Sequence, residues 1–133
     1  MTFLNRYALQ IQGLFRIVTG LLFLEHGTQK LLAFPPLSPE MAAMHVPDNV
    51  KPVLMAAGII ELVGGALVTL GFFSRWAAFI CSGEMAIAFW LGHVLGRQAF
   101  FPATNMGDAA VLFCFGFLFL AAAGPGRFAI NEK

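Results

Sequence analysis

Four stretches of this chain are apolar for about twenty residues each, and short polar segments separate them. The first runs from about Leu9 to Ala33 and the second from Val53 to Phe73. The third covers Trp76–Leu95 and the fourth Gly107–Ala123. Apolar runs of ~17–25 residues are long enough to cross the hydrocarbon core as helices. The fourth lies near the short end of that range. Ser74-Arg75 forms a tight turn between the second and third runs, and Gly124-Pro125-Gly126 stops the fourth. Phe100-Phe101-Pro102 marks the loop before the fourth run, and the loop 34–52 carries five of the seven prolines. Within that loop the spacing predicts a short helix over Glu40–His45, capped by Ser38 with Pro39 at its first position. The pattern predicts an all-α polytopic membrane protein: a four-transmembrane-helix bundle in a single domain, residues 1–133.

The polar positions within these runs are few and ordered. At 100° per residue, Leu14, Ile17, Leu21, Leu24, Leu31 and Leu32 fall within one arc of the first helix, which would face lipid. Gln12, Thr19, His26 and Lys30 line the opposite half, flanked by Glu25 and Gln29 on one side and by Arg16 on the other. Glu61 is the only charge between Val53 and Phe73, and it shares a face with Gly58 and Gly65. Small residues let helices approach closely in lipid, so Glu61 should point into a packed seam. In the third run Ala77, Cys81, Glu84 and Ala88 share a face, while Trp76, Phe79, Trp90 and Val94 share the lipid-facing one. In the fourth, Asp108 shares a face with Phe115, Phe119 and Ala122.

Glu61 and Glu84 should therefore face the bundle interior, neutral or hydrogen-bonded. A charge at the bilayer centre costs roughly 2.5–3.5 kcal/mol even on lenient insertion scales. With a rise of ~1.5 Å per residue, Glu25 and Glu61 each lie about 12 Å below the non-cytoplasmic end of their helix. A polar pocket of Glu25, His26, Lys30, Glu61 and Asp108 is expected there, with Glu84 below it. The bland readings are snorkelling for Arg16, Lys30 and His93, a helix-capping role for Asp108, and a structural hydrogen bond for each buried glutamate.

Composition sharpens this. Only 11% of residues are charged, against about 25% in soluble domains, and four spans within 133 residues leave no room for a separate soluble catalytic domain. The net charge of +1 gives no reason to expect nucleic acid as a partner. Arg6 and Ile17–Leu24 imitate the start of a signal peptide, but Glu25-His26-Gly27 stands where a small-residue cleavage site belongs, so the first run reads as a true span. An even number of spans puts both termini on one side, with Arg6, Arg16, Arg75, Arg127 and Lys133 there against Lys30, Lys51 and Arg97 on the other. Positive charge concentrates inside, so the termini are expected in the cytoplasm. A weak echo places Arg16 nine residues before Glu25 and Arg75 nine before Glu84, consistent with two related helical hairpins.

Other chemistries have little support. Cys81 and Cys114 form no CxxC and read as small buried hydrophobes. The His and carboxylate spacings include no H-x-x-x-H and no repeated E-x-x-H, so no bound metal is expected. Phosphate loops and nucleophile elbows are missing from the sequence.

The segment Arg16–Lys30, with Glu25-His26-Gly27 near its end, resembles the first-helix signature of DoxX-type membrane proteins. Gly58-Ile-Ile-Glu61-Leu-Val-Gly64-Gly65 and Leu70-Gly71-Phe-Phe-Ser-Arg75 resemble their second helix and turn. Asn105-Met-Gly107-Asp108 and Gly124-Pro125-Gly126-Arg127 resemble the start and exit of their fourth, with Asp108 standing where that pattern has Glu. The resemblance covers about residues 14–130. It implies a bacterial-type inner membrane protein that serves membrane redox work, with quinone as a ligand and other redox subunits or further copies of the chain as partners. On that reading Glu25, His26 and Glu61 would carry catalysis, and Lys30, Glu84, Asp108 and Arg16 would bind ligand. Two alternatives stand beside it: a small-molecule or proton-coupled transporter, and a non-catalytic assembly partner.

Overall fold

The computed structural model describes residues 2–131, and within them the chain is helical with no strand. Lys133 lies outside the described residues. A short helix α1 (Thr2–Asn5) precedes α2 (Ala8–Leu32). Next come α3 (Pro39–Ala42) and α4 (Lys51–Leu70). Helix α5 spans Ser74–Leu95, α-helical to Ile87 and π-helical over Ala88–Leu95. Helix α6 (Pro102–Asn105) leads into α7 (Asp108–Ala123). Three of these helices, α2, α4 and α5, are long and apolar enough to cross a membrane, and α7 is a shorter apolar fourth. The chain is a four-helix membrane bundle.

Local chemistry sets the helix ends. The Ser38 side chain accepts a bond from Met41 N–H, and Pro39 takes the first position of α3, which closes at Ala42. Helix α4 ends at Gly71 in the left-handed region, where Phe72 N–H returns to Leu67 O at 3.0 Å. That arrangement needs a residue free to take positive φ, which glycine supplies.

The closest packing runs between α2 and α4 and between α5 and α7, so each hairpin of the sequence is also a packed pair. Helix α4 joins the pairs along α5. Of the four adjacent helix pairs, α2 and α7 pack least closely, and side chains bridge them: Phe23 lies 4.7 Å from Phe117 and 5.3 Å from Phe113 between ring centroids. Phe23, Val68, Cys81 and Phe117 are wholly buried at the centre. The outward face of α5 follows the sequence pattern at Trp76, Phe79 and Trp90, which are exposed, whereas the face of α7 that carries Asp108, expected inside, has Phe115 and Phe119 exposed.

The α2–α4 contact is backbone on backbone. Glycines recur every seventh residue on α2, at Gly13, Gly20 and Gly27, and again on α4, at Gly58 and Gly65. A methyl group at Gly65 would stand 2.6 Å from Leu24 N, and one at Gly20 2.7 Å from Thr69 N. A seven-residue repeat keeps one stripe facing the partner along the whole length of a helix pair.

Helix α7 is short, ~24 Å against a core of ~30 Å. Non-helical backbone at membrane depth must be satisfied by protein. Long polar side chains do this at both of its ends. Arg75 Nη1 donates to Ala121 O and Ala122 O at 2.9 and 2.7 Å, and Gln12 Nε2 donates to Gly124 O at 2.7 Å. Arg16, wholly buried, donates to Pro125 O at 2.8 Å and Phe128 O at 2.9 Å, with longer contacts to Arg127 O and Thr69 O. At the other end Asn105 Nδ2 donates to Ala99 O at 2.9 Å, and its Oδ1 accepts from Gly107 N–H at 2.8 Å. The segment after α7 is thereby strapped across the start of α2, where Arg127 N–H donates to Leu9 O at 2.9 Å. Both ends of the described chain thus lie at one end of the bundle.

Candidate functional site

Because Gly27 and Gly58 bring the backbones of α2 and α4 together, side chains one turn away meet across the seam. A methyl group at Gly58 would stand 3.0 Å from Lys30 Cβ. Lys30 Nζ is ion-paired and hydrogen-bonded to Glu61 Oε1. Glu61 is 2% exposed, while the Lys30 side chain keeps 32% of its surface open. Lys30 is thus the accessible member of a pair whose carboxylate is sealed in the bundle. The second Glu61 oxygen, Oε2, is buried with no partner.

Helix α5 adds Glu84. Both of its carboxylate oxygens are buried and unpartnered, and it lies within electrostatic reach of Glu61 and Lys30. Cys81, one turn earlier, is wholly buried, with its Sγ packed against Gly64 of α4, one turn after Glu61. Lys30, Glu61 and Glu84 therefore form one interior group assembled from three helices.

The other sequence candidates lie apart from it to different degrees. His26 is one turn before Lys30 on the same face of α2, exposed, with its ring 5.8 Å from Phe113 edge to face. It stands where α2 and α7 approach least. Glu25 is exposed, as is Asp108, which occupies the first turn of α7. The helix dipole favours a negative charge there. Arg16 is about 21 Å along α2 from Lys30, and its hydrogen bonds go to the carbonyls of the C-terminal strap. His93 Nδ1 lies 3.0 Å from Asn105 O. The Arg16/Arg75 half of the sequence echo has a shared structural meaning, because both guanidiniums hold backbone carbonyls after or at the end of α7. The Glu25/Glu84 half does not, since one carboxylate is exposed and the other internal.

Periodicity alone did not reveal that Arg16, Arg75 and Asn105 would serve as donors to backbone. The available signal was the shortness of the fourth span next to Gly124-Pro125-Gly126, which leaves carbonyls that must find partners. Among the described residues, no three His, Cys, Asp or Glu side chains converge as metal ligands would. Two apolar clefts are present elsewhere: about 240 Å³ between α4 and α5, lined in part by Ile59, Gly64 and Cys81, and about 430 Å³ beside Leu4, Phe15 and Phe119.

Comparison with known proteins agrees with this architecture. The family model for DoxX matches residues 12–94, which includes the Lys30–Glu61 pair and Glu84. An uncharacterized protein of Haemophilus influenzae is 41% identical over all of this chain and 97% of its own length. The inner membrane protein YqjF of Escherichia coli is 28% identical, over 88% of this chain and 86% of its own. An uncharacterized membrane protein of Mycobacterium tuberculosis, Rv3486, is 28% identical over 89% and 77%. No solved structure matches the chain. With its packed hairpins, its internal carboxylates and a family match over more than half its length, this membrane protein belongs to the DoxX family.

Proposed function

We propose that the protein is a membrane-embedded component of a redox system, in which Lys30, Glu61 and His26 exchange protons with a small, partly apolar ligand of the quinone class. The observation that carries this is the Lys30–Glu61 pair: an accessible ammonium on a sealed carboxylate that still has one oxygen free. Intramembrane ionisable groups are expensive, and those that persist mark sites of function. The donor set fits a quinone. Lys30 and His26 lie one above the other on α2 and would donate hydrogen bonds to its carbonyl oxygens. When bound, such a ligand supplies two-electron, two-proton redox chemistry. An imidazole both takes up and releases a proton at its ring nitrogens, so His26 is suited to exchange protons with a ligand held beside the Lys30–Glu61 pair. The resemblance of the Arg16–Lys30 and Gly58–Arg75 segments to DoxX-type proteins, with the membrane redox work it implies, supports the same role. On this reading both termini are cytoplasmic, the Lys30 end of the bundle faces the opposite side, and other redox subunits are its partners.

A second reading, a proton-coupled transporter, draws on Glu84, a further carboxylate behind Glu61. Mass spectrometry of small molecules co-purified in mild detergent separates the two, together with uptake into proteoliposomes. Retention of a quinone by the parent protein, lost in Glu61→Gln and His26→Ala while both variants stay folded, is the expected result. Ligand binding unchanged in both variants would refute the proposal, and solute uptake that both variants abolish would favour transport.

A further inference from the structure

We infer that the cleft between α1, the start of α2 and the end of α7 seats an acyl chain of an anionic phospholipid whose headgroup Arg6 binds. The cleft lies at the end of the bundle opposite the Lys30–Glu61 centre. Its residue Phe15 is ~16 Å along α2 from His26, so the inference does not rest on any ligand proposed there.

The sequence builds the cleft from small and aromatic residues. Gly116 on α7 leaves room for the Phe15 ring of α2, since a methyl group there would stand 3.2 Å from Phe15 Cζ. Phe15 then meets Phe119 edge to face, 6.1 Å between ring centroids. The turn after α1, where Tyr7 N–H donates to Leu4 O at 2.9 Å, brings Leu4 to the same cleft as Ala8 and Ile11. The space enclosed is about 430 Å³. That lies within the ~300–1,000 Å³ usual for small-molecule sites. Leu4, Ile11, Phe15 and Phe119 are all exposed, so the cleft opens outward, and outward from a membrane bundle is lipid. An acyl chain laid in it gains dispersion contact with three apolar walls, where a flat helix face offers one.

Charge selects the headgroup. Arg6 follows Asn5, which lines the cleft, and its guanidinium lies over the Tyr7 ring at 4.8 Å. Both residues are exposed. Stacking occupies the face of a guanidinium and leaves the N–H groups at its edge to meet a phosphate. Arg127 is exposed at the same level, where its N–H donates to Leu9 O at 2.9 Å, and it adds to the positive field. Among the described residues no carboxylate opposes these arginines: Glu25, Glu61 and Asp108 lie toward the other end, Glu40 and Asp48 in the 34–52 loop, and Glu84 deep in α5. Glu132 lies outside the described residues. A cationic rim above an apolar recess matches an amphiphile with an anionic head and a hydrocarbon tail, and basic sites beside membrane helices bind such headgroups.

Native mass spectrometry of the purified full chain in mild detergent tests this, with dioleoyl phosphatidylglycerol and dioleoyl phosphatidylcholine as probes and no quinone present. The anionic lipid should bind first and more tightly. Arg6→Gln should weaken it about fivefold and leave the zwitterionic lipid unchanged, whereas Arg6→Lys should keep the preference. Ala8→Phe, which fills the cleft from an exposed position, should weaken both lipids. Arg97→Gln, an exposed arginine at the other end, should change neither. A phosphatidylglycerol with a diazirine in its acyl chain should label Ile11 or Phe119. Equal binding of the two lipids that Arg6→Gln leaves unmoved would overturn the inference, as would label confined to other helices. A dimer that Ala8→Phe breaks would also overturn it, since a second copy of the chain would then cover the cleft. Failure of the quinone reading leaves these outcomes untouched, because no step of the test uses that ligand.

Discussion

Replacing Arg16 with methionine removes five N–H donors and keeps most of the side-chain volume. In the structure this guanidinium makes two good bonds, to Pro125 O at 2.8 Å and Phe128 O at 2.9 Å, and two long ones to Arg127 O and Thr69 O. Hydrogen bonds to a charged group contribute about 1.5–3 kcal/mol each, so the short pair alone is worth roughly 3–6 kcal/mol. Against this stands the cost of keeping a guanidinium in the interior with its Nε unpartnered. The variant relieves that cost but orphans the carbonyls, and the net loss should be about 3 kcal/mol. Reversible unfolding in mixed micelles measures it. A cysteine placed at Ala129, with Cys81 and Cys114 replaced, reports release of the strap as faster labelling, by about a hundredfold for that free energy. Arg16→Lys should recover less than half, because one ammonium cannot fork to carbonyls three residues apart. If Arg16→Met unfolds within about 0.5 kcal/mol of the parent and labelling is unchanged, the strap is held by something other than this side chain.

Gly65→Leu should cost more than about 3 kcal/mol or abolish the folded species in size-exclusion chromatography, because its Cβ meets the Leu24 backbone, which cannot step aside. Gly83→Ala, with open space around its Cβ, is the control and should unfold like the parent. Outside the membrane, the Glu40 carboxyl is held below its ordinary range by a backbone hydrogen bond and by the Ser38 hydroxyl. The contribution to α3 is therefore present above the unfolded pKa and lost as pH falls through the lower folded value. A carbon-13 titration of Glu40 should show a depressed midpoint that rises in Ser38→Ala, and an unmoved midpoint would show that the cap is not a cause.

The four-helix membrane bundle was legible because lipid imposes a simple rule: apolar runs of sufficient length become helices. The faces of Ala77, Cys81, Trp76 and Phe79 were legible for the same reason, since α5 keeps the α-helical period as far as Ile87. Beyond it the π-helical turns of Ala88–Leu95 hold more residues per turn, and a 100° projection drifts. Trp90 is exposed as projected, while Val94 on the same projected face is half-buried. Glu61 was legible as internal because glycines flank it on one face. The Lys30 partnership was not, because snorkelling and pairing look alike until the distance between two helices is known. Asp108 was placed in the pocket by depth, and Glu25 by depth and by flanking the polar line of α2, but neither fixes the direction in which a side chain points, and both are exposed.

The unequal seams of the bundle have a mechanical consequence. Where glycine backbones touch along α2 and α4, any sliding drives main chain into main chain, so those two helices behave as a stiff plate. Across from them, α2 and α7 are separated by rings of Phe23, Phe113, Phe117 and the exposed His26. Among these rings His26 is exposed and can swing in picoseconds to nanoseconds without moving a helix, while Phe23 and Phe117 are held in the core. The compliant wall of the molecule is therefore the one that carries His26, and the rigid wall holds Lys30 against Glu61.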